Sequence, residues 1–230
     1  MKHMKSIIKV ILIVVLTAVL TTVSIAQNRL PLPSHPDGLD SRFTPLESVP
    51  PVSGSDSADG DEFGAAIAVT DTVLLVGAPF HDHGGHTDAG AVYVFRLNNE
   101  GAWVQTQKIT APDPIDNARF GFSIAATRTG DNTVFAVGAS DFSDFGEAGT
   151  GDDLISMGKV YLYTPTGSPA TWAVDGTLVS LNARTTGRFG YALDYWEHGA
   201  GLNLIVGAPG EETDESAYGG VVYFYDFVAA

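Results

Sequence analysis

The chain has 230 residues, with 27 acidic against 12 basic side chains, a formal net charge of −15 and no cysteine. So acidic a chain disfavours nucleic acid as a partner, because binding to phosphates needs the opposite charge. The lack of cysteine excludes a disulfide framework, a cysteine nucleophile and a lipid-modified cysteine as an anchor.

Residues 1–26 have the pattern of a secretory signal peptide. Lysines at positions 2, 5 and 9 precede an apolar run over 10–23, and Ser24-Ile25-Ala26 supplies the small residues of a cleavage site. The alternative is a retained membrane anchor, although the run is shorter than the ~20 residues of a spanning helix. We therefore expect a secreted protein, extracellular or periplasmic, without a membrane span after cleavage. Cleavage before Gln27 removes three basic residues and no acidic one, which leaves a net charge of −18.

Residues 27–60 form a stretch rich in Pro, Ser, Gly and Asp without sustained periodicity, which is typical of a linker. Within it, residues 43–49 precede Phe63-Gly64 much as residues 103–109 precede a second Phe-Gly pair. This position predicts an N-terminal strand at 43–49 that completes the last sheet of the chain and hides its edge. Pro45 disfavours that strand, since proline is confined to edge strands.

The remaining chain, 61–230, is dominated by an internal repeat of three elements. Phe-Gly comes first, then Val-Gly-Ala followed by Pro or Ser, then a strand that begins Gly-x-Val-Tyr. The Phe-Gly pairs begin at 63, 120 and 189, the Val-Gly-Ala elements at 76, 137 and 206, and the Gly-x-Val-Tyr elements at 90, 158 and 220. A unit of about 60 residues is in the range of solenoids and propellers.

Each unit is long enough for several strands. In the first copy we predict strands over 66–69, 73–76, 92–97 and 103–109, which would form a four-stranded antiparallel sheet. Residues 91–95 are apolar at every position, so both faces of this sheet should be covered by neighbouring sheets. Radial stacking of blades provides that cover. The sequence thus predicts an all-β propeller with about three blades, over 61–111, 112–182 and 183–230, and without a fourth strand in the last copy.

These elements resemble the FG-GAP repeat family, best known from the β-propeller head of integrin α subunits, and the resemblance is closest to its secreted bacterial members. It extends over 61–227. The resemblance implies four-stranded blades, typically seven, that serve binding or adhesion. Three copies are fewer than the blades that ordinarily close a ring. Continuation into further blades of a longer protein, self-association of chains and an open arc therefore all remain as explanations.

Calcium is the cofactor that the family implies, bound between the first and second strands through an Asp-x-Asn/Asp-x-Asp-Gly arrangement. The corresponding segments here are 70–72, 128–132 and 194–199, and each has too few oxygen ligands in sequence. We expect these calcium sites to be absent or degenerate, and no cofactor follows firmly from the sequence.

Acidic residues concentrate in loops that a four-stranded meander places on one face. These are the loops from strand two to strand three, together with the segments before strand one, and they hold 17 of the 27 acids. The predicted ligand-binding face consists of Asp82, Asp88, Asp141, Asp144, Glu147, Asp152, Asp153, Glu211, Glu212, Asp214 and Glu215. Such a face could recruit cations or a basic partner. The other interpretation is solubility and ordinary turn chemistry.

Three of the six histidines, His81, His83 and His86, lie in the first of these loops. Imidazoles at this density beside carboxylates are a candidate site for zinc, nickel or copper. Neither sister loop repeats them, and the glycines between them favour a flexible loop.

Catalytic motifs are missing from the sequence: there is no Gly-x-Ser-x-Gly elbow and no phosphate-binding glycine loop after a strand. Trp103 and Trp172 recur in register as residues of the fourth strand, which favours packing over sugar binding. We therefore expect a secreted, non-enzymatic binding or adhesion protein that recognises a protein or glycan through its acidic face. The alternative is a carbohydrate-active or other hydrolytic propeller, with two carboxylates paired in a cleft.

Overall fold

Eleven β-strands in three antiparallel sheets build the part of the chain that the computed structural model describes, which is residues 49–129, 132–144, 154–167, 170–198, 201–212 and 219–227. The chain in these ranges is all-β, as predicted. The signal peptide, most of the linker and residues 43–48 of the proposed closing strand lie outside the described residues.

We call the sheets blades 1 to 3. Blade 1 has the order β1-β2-β3-β4 and blade 2 the order β5-β6-β7-β8, whereas blade 3 has three strands in the order β11-β10-β9. The strands are β1 Ala66–Val69, β2 Val73–Ala78, β3 Ala91–Leu97, β4 Trp103–Ile109, β5 Phe120–Thr129, β6 Asn132–Ala139, β7 Lys159–Thr166, β8 Thr171–Leu178, β9 Ala192–His198, β10 Gly201–Ala208 and β11 Val221–Phe227.

All four strands predicted for the first copy form where the sequence pattern places them. Two boundaries differ: β3 begins one residue earlier, at Ala91, and β2 runs two residues further, through Gly77 and Ala78, which pair with Val92 and Ala91 of β3. The repeat element Val-Gly-Ala is therefore strand rather than loop. In blade 3, no fourth strand occurs among the described residues.

The blades pack in chain order, and their first strands form the inner contacts. Strand β5 of blade 2 contacts β1 and β2 on one side and β9 of blade 3 on the other. The three sheets do not close into a ring in the described part of the chain. This arrangement is that of a partial, open propeller.

Strand β3 is buried on both faces, although a neighbouring blade covers only one of them. On the other face, Tyr93 and Phe95 pack with Val52 and Phe63 of the segment before β1. All of its residues from Ala91 to Phe95 are buried, as the absence of a polar face predicts. Val92 and Val94 belong to the apolar core shared with blade 2, which includes Phe120 and Tyr161. Alternate residues of β3 are thus buried on opposite faces of the sheet. Because both faces are buried, the strand lacks the apolar–polar alternation of a strand with one face in solvent.

The Phe of each Phe-Gly pair packs against two aromatic rings of the third strand in its own blade, edge-on in every pair except the tilted Phe189–Tyr223. The ring-centroid distances to the nearer ring are 5.4 Å for Phe63–Tyr93, 5.3 Å for Phe120–Tyr161 and 5.6 Å for Phe189–Tyr223. Such aromatic pairs stabilise beyond the area they bury. The repeat therefore encodes a contact between its first and its third element.

The Gly of the second and third Phe-Gly pairs packs against the preceding blade. A Cβ placed on Gly77 would lie 2.1 Å from the carbonyl oxygen of Gly121, and one on Gly138 would lie 2.2 Å from that of Gly190. Glycine is required at both strand positions because backbone of the next blade occupies the space of a side chain. The Val-Gly-Ala and Phe-Gly elements recur together because they meet at the junction between blades.

Candidate functional site

The loops between strands two and three, and the segments before strand one, lie on the same side of the blades and bond to each other. The amide of Arg119 donates to the carbonyl of Asp88 at 3.1 Å, and the amide of Arg188 donates to that of Ser156 at 3.0 Å. Each bond links the entry segment of one blade to the loop of the blade before it. We call this side the loop face.

The backbone of the loop face is held in left-handed conformations at these bonds. Asp88, Arg119, Ser156 and Arg188 have φ values of 52°, 57°, 53° and 53°. Non-glycine residues rarely adopt such values, which cost of order 1 kcal/mol each and persist where surrounding contacts impose them. The two arginines are therefore presented from rigid backbone.

A cleft of about 700 Å³ opens on the loop face where elements of all three blades meet. Its walls include His86 and Asp116 from the blade 1 to blade 2 region, Asp141 and Ile155 from the blade 2 loop, and Arg188 from the entry to blade 3. This volume is in the range of ligand-binding clefts.

Asp141, one of the predicted ligand-binding acids, sits between two arginines in this cleft. Its carboxylate accepts a hydrogen bond from Nη1 of Arg119 at 3.0 Å and lies 3.4 Å from Nε of Arg188. Only 13% of its side chain is exposed. The guanidinium of Arg119 also lies 4.9 Å above the ring of Phe80. The cleft is thus built around a cation–anion–cation cluster rather than around free carboxylates.

The other predicted acids divide into exposed and buried ones. Asp82, Asp144 and Glu212 are exposed, Asp88 is partly buried, and the amide of Asp88 donates to Oδ1 of Asp82 at 3.0 Å. Glu211 is 1% exposed, and its carboxylate accepts a hydrogen bond from the hydroxyl of Tyr223. Glu147, Asp152, Asp153, Asp214 and Glu215 lie outside the described residues.

Two further carboxylates of the loop face accept hydrogen bonds from the tyrosines of the Gly-x-Val-Tyr elements. Asp56 accepts from the hydroxyl of Tyr93 at 2.9 Å and from Lys108 at 2.5 Å. In blade 2, Asp113 accepts from Tyr161 at 2.7 Å and from Lys159 at 2.5 Å. The hydrogen bond from Lys108 holds the pKa of Asp56 below its usual value.

Sequence reasoning missed this role, although a signal for it exists. Asp56 and Asp113 each precede the repeat Phe by seven residues, and the third copy has Asn182 at that position. Aligning the three copies would have identified the two acids as parts of the repeat. They contribute to the structure of the blades and are not free for a ligand.

The three clustered histidines have separate partners. Nδ1 of His81 lies 2.8 Å from Oδ2 of Asp61, with both side chains about nine-tenths buried, and Nδ1 of His86 lies 3.0 Å from Oδ1 of Asp116. Nε2 of His83 lies 3.0 Å from the hydroxyl of Thr110.

Burial and the nearby charge of Lys108 lower the pKa of His83. No group of three or more potential ligand side chains is arranged to hold a metal ion in the described ranges. The proposed zinc, nickel or copper site thus stays a prediction without an assembled ligand set.

The first position expected for calcium in the family is a tight turn in this chain. The amide of Thr70 donates to the carbonyl of Val73 at 2.8 Å, and the carboxylate of Asp71 pairs with Arg128 at 2.7 Å. Calcium prefers six to eight oxygen ligands, and this three-residue turn presents its single carboxylate to an arginine. The expected lack of calcium at this position stays a prediction.

Trp172 contributes to packing, as its position in the repeat predicts. It is buried, its indole Nε1 donates to the carbonyl of Thr133 at 2.8 Å, and its ring packs on Phe135. Trp103 lies partly buried against the core of blade 1.

Comparison with known proteins identifies the repeat. Residues 52–95 and 103–163 match the family model of the FG-GAP repeat. The matched ranges contain strands from both blade 1 and blade 2. No curated protein matches the chain. Across the residues that the structure covers, no helix has the length and apolar character needed to cross a membrane.

Proposed function

Because this chain is an FG-GAP repeat protein with a β-propeller-type fold, we propose that it is a non-enzymatic, adhesion-type binding protein that recognises an extracellular protein or glycan through its loop face. The observation that carries the proposal is the cleft where loops of three blades meet. Binding sites commonly lie on loops that a rigid scaffold positions.

The chemistry of the cleft suits a polar ligand with an apolar part. Arg188 is about half-exposed and offers guanidinium donors, Asp116 offers an exposed carboxylate, and Ile155 adds a half-exposed apolar wall. A specific recognition site typically combines apolar surface with a few polar groups that converge on the ligand. Arg119 and Asp141 contribute by holding Arg188 in place.

The exposed acids around the cleft add a long-range contribution. Asp82, Asp144 and Glu212 lie on the same face, and the whole chain carries a net charge of −15. One-signed charge near a cleft raises the encounter rate with a basic partner, and salt weakens the effect. Solubility alone would account for the same acids, and the ionic-strength dependence of binding separates the two interpretations.

The test is a binding screen of the purified protein against immobilised glycans and extracellular surface proteins. For a partner found in it, Arg188→Ala and Ile155→Ser should each weaken binding about tenfold, because both side chains line the cleft. The control is Arg128→Ala, which removes an arginine paired with Asp71 in the strand hairpins away from the loop face.

Equal affinities for the cleft variants and the control would overturn the proposed site. Release of cleaved sugar from any glycan in the screen would overturn the non-enzymatic proposal in favour of a hydrolytic propeller. For electrostatic recruitment, the affinity should fall as salt rises from 50 to 500 mM, about the range over which screening becomes strong.

Secretion is part of the same proposal. The protein should leave the cytoplasm and lose residues 1–26, so that the secreted form begins at Gln27. N-terminal sequencing of protein from the culture medium or periplasm measures this. A secreted or membrane-held form that still begins at Met1 would contradict cleavage and favour a retained anchor.

A further inference from the structure

At each junction between blades, a second glycine of the leading blade receives the backbone of the following one. A Cβ on Gly90 would lie 2.1 Å from the carbonyl oxygen of Phe120, and one on Gly158 would lie 2.1 Å from that of Phe189. Together with the Val-Gly-Ala glycine, these positions form a recess shaped for the next Phe-Gly pair.

Blade 3 has both glycines, but the space beside them is open. Among the described residues other than its chain neighbours, the nearest atom to a Cβ on Gly207 is 3.5 Å away and belongs to Ala192 of the same sheet. A Cβ on Gly220 would meet only Pro209 of its own loop, at 3.3 Å or more. No Phe-Gly pair of the described residues occupies this recess.

The apolar surface beside the recess is exposed as well. Val222 and Phe224 of β11 are 56% and 66% exposed. They occupy the register positions of Val92 and Val94 in β3, which are fully buried against blade 2. We call Gly207, Gly220, Val222 and Phe224 the socket.

The complementary surface is exposed on blade 1. In the part of the chain that the structure describes, no atom beyond its chain neighbours lies within 4 Å of a Cβ placed on Gly64. A Cβ on its counterpart Gly121 would lie 2.5 Å from the carbonyl oxygen of Ala91 in the preceding blade. Ile67 and Val69 of β1 are 69% and 61% exposed. We call Phe63, Gly64, Ile67 and Val69 the plug.

A buried counterpart of the plug shows what covers such a surface. Ile124 of β5 has the register position of Ile67, because their preceding residues pair with the equivalent glycines Gly138 and Gly77. Ile124 is 8% exposed and belongs to the core shared by blades 1 and 2. A blade that carried a socket would therefore bury Ile67 in the same way.

We propose that two copies of this chain associate reciprocally, with the plug of each seated in the socket of the other, to form a ring of six blades. Six sheets lie within the four to eight that close a propeller, whereas three do not. Plug and socket lie on opposite sides of the array, separated by blade 2, so a second copy provides the partner surface. Head-to-tail contacts form a closed ring when the rotations between successive subunits add up to a full turn.

The second copy also brings a residue to the open edge of blade 3. In blades 1 and 2, Val92 pairs with Ile109 and Val160 pairs with Leu178 of the fourth strand. Ile109 and Leu178 each precede the next repeat Phe by eleven residues, as Val52 precedes Phe63. Val52 packs against the core of blade 1, so docking of the plug places it beside β11.

The mass of the purified full chain in solution tests the proposal, measured by light scattering after gel filtration. The wild type should have the mass of two chains. Gly207→Val should have the mass of one, because the added side chain fills the recess, while its Cβ would lie 3.5 Å from the nearest atom, the Cβ of Ala192. Circular dichroism should show unchanged β structure.

The matched control is Gly176→Val in β8, which adds the same atoms to a strand position where the nearest atom, of Leu162, lies 3.9 Å away. It should keep the two-chain mass. A one-chain wild type, or a Gly207→Val protein that keeps the mass of two folded chains, would overturn the proposal.

A second pair of variants separates head-to-tail contact from face-to-face contact. Phe224→Asp damages the socket and Ile67→Asp damages the plug, so each alone should have the mass of one chain. Their mixture retains one intact junction and should recover the mass of two at high concentration. Persistence of the two-chain mass in Ile67→Asp, or wild-type assemblies that grow beyond two chains, would contradict the six-bladed ring.

Discussion

At the residue scale, the junction between blades is determined by the absence of a Cβ. The carbonyl oxygen of Gly121 occupies the space of a side chain on Gly77, so the two backbones approach more closely than any other residue permits. The neighbouring group is backbone and cannot rotate away. Substitution at such a position should separate the blades.

We predict that Gly77→Ala destabilises the protein by at least about 2 kcal/mol, the size of an overpacked core substitution. Urea unfolding followed by tryptophan fluorescence measures the loss. Gly176→Ala is the control, because its added Cβ has ordinary space, and it should change stability by less than about 0.5 kcal/mol. A Gly77→Ala protein as stable as this control would contradict the close approach.

Asp56 provides a pH-dependent contribution at the same scale. Its hydrogen bond from Lys108 lowers its pKa in the folded state below the ordinary 3.8. The stabilisation is therefore present above pH 3.8 and is lost as the pH falls through the lower, folded value. Half of the Asp56 side chain is exposed, so solvent screening keeps the effect small.

We predict that Asp56→Asn costs up to about 1 kcal/mol at pH 7 and that its difference from the wild type shrinks at pH 3. Urea unfolding at both pH values measures this. The exposed Asp59→Asn is the control for the general effect of removing one negative charge. A difference from wild type that is as large at pH 3 as at pH 7 would mean that the ionised carboxylate contributes nothing.

At the element scale, the outer strands of neighbouring blades are joined by one glutamine. The side-chain amide of Gln107 in β4 donates to the carbonyl of Trp172 in β8, and its oxygen accepts from the amide of Trp172, both at 2.9 Å. The guanidinium of Arg96 lies 4.7 Å above the same tryptophan ring. The glutamine thus substitutes for the ladder hydrogen bonds that two separate sheets cannot form.

We predict that Gln107→Ala costs about 1–3 kcal/mol, since two hydrogen bonds are lost and the amide of Trp172 is left without its partner. Hydrogen exchange of β8 should accelerate more than that of β6. Gln105→Ala is the control from the same strand, because its amide bonds only the exposed Ser55. Equal hydrogen-exchange rates of β8 in the two variants would contradict a stabilising role of the Gln107–Trp172 hydrogen bonds.

At the scale of the whole molecule, the proposed association makes stability depend on protein concentration. Partner binding that favours the folded state raises the apparent Tm by mass action. The Tm of the wild type should therefore rise between 1 and 100 μM, roughly a hundredfold range over which such linkage is measurable. The Tm of Gly207→Val should be the same at all concentrations in this range. A wild-type Tm that is independent of concentration would argue against two-chain assembly.

Local patterns in the sequence were enough to predict the blades. The apolar run 91–95, the turn glycines and the threefold repeat concern residues close together in the chain, and strand formation depends mainly on such alternation. The predicted strands of copy one match β1 to β4. The FG-GAP prediction is confirmed by the repeat matches over 52–95 and 103–163, and the open arrangement is confirmed by the three unclosed sheets.

The roles of individual acids were decided by tertiary structure. Asp141 was predicted to bind a ligand, but Arg119 and Arg188, which enter from two different blade junctions, pair with it. Glu211 was assigned to the same face, yet it is buried beneath Tyr223. Charge counted along a sequence cannot distinguish a paired carboxylate from a free one, because the partners lie tens of residues away.

The sequence by itself determined the repeating unit of this protein, since strands, turns and close-approach glycines are encoded within each copy. Only the tertiary structure decided which junctions are filled and which are open. Gly207 and Gly77 have the same sequence context, but the backbone of a neighbouring blade lies beside Gly77 alone. Whether a glycine is packed or exposed depends on what lies across the junction, and that contact joins residues far apart in the chain.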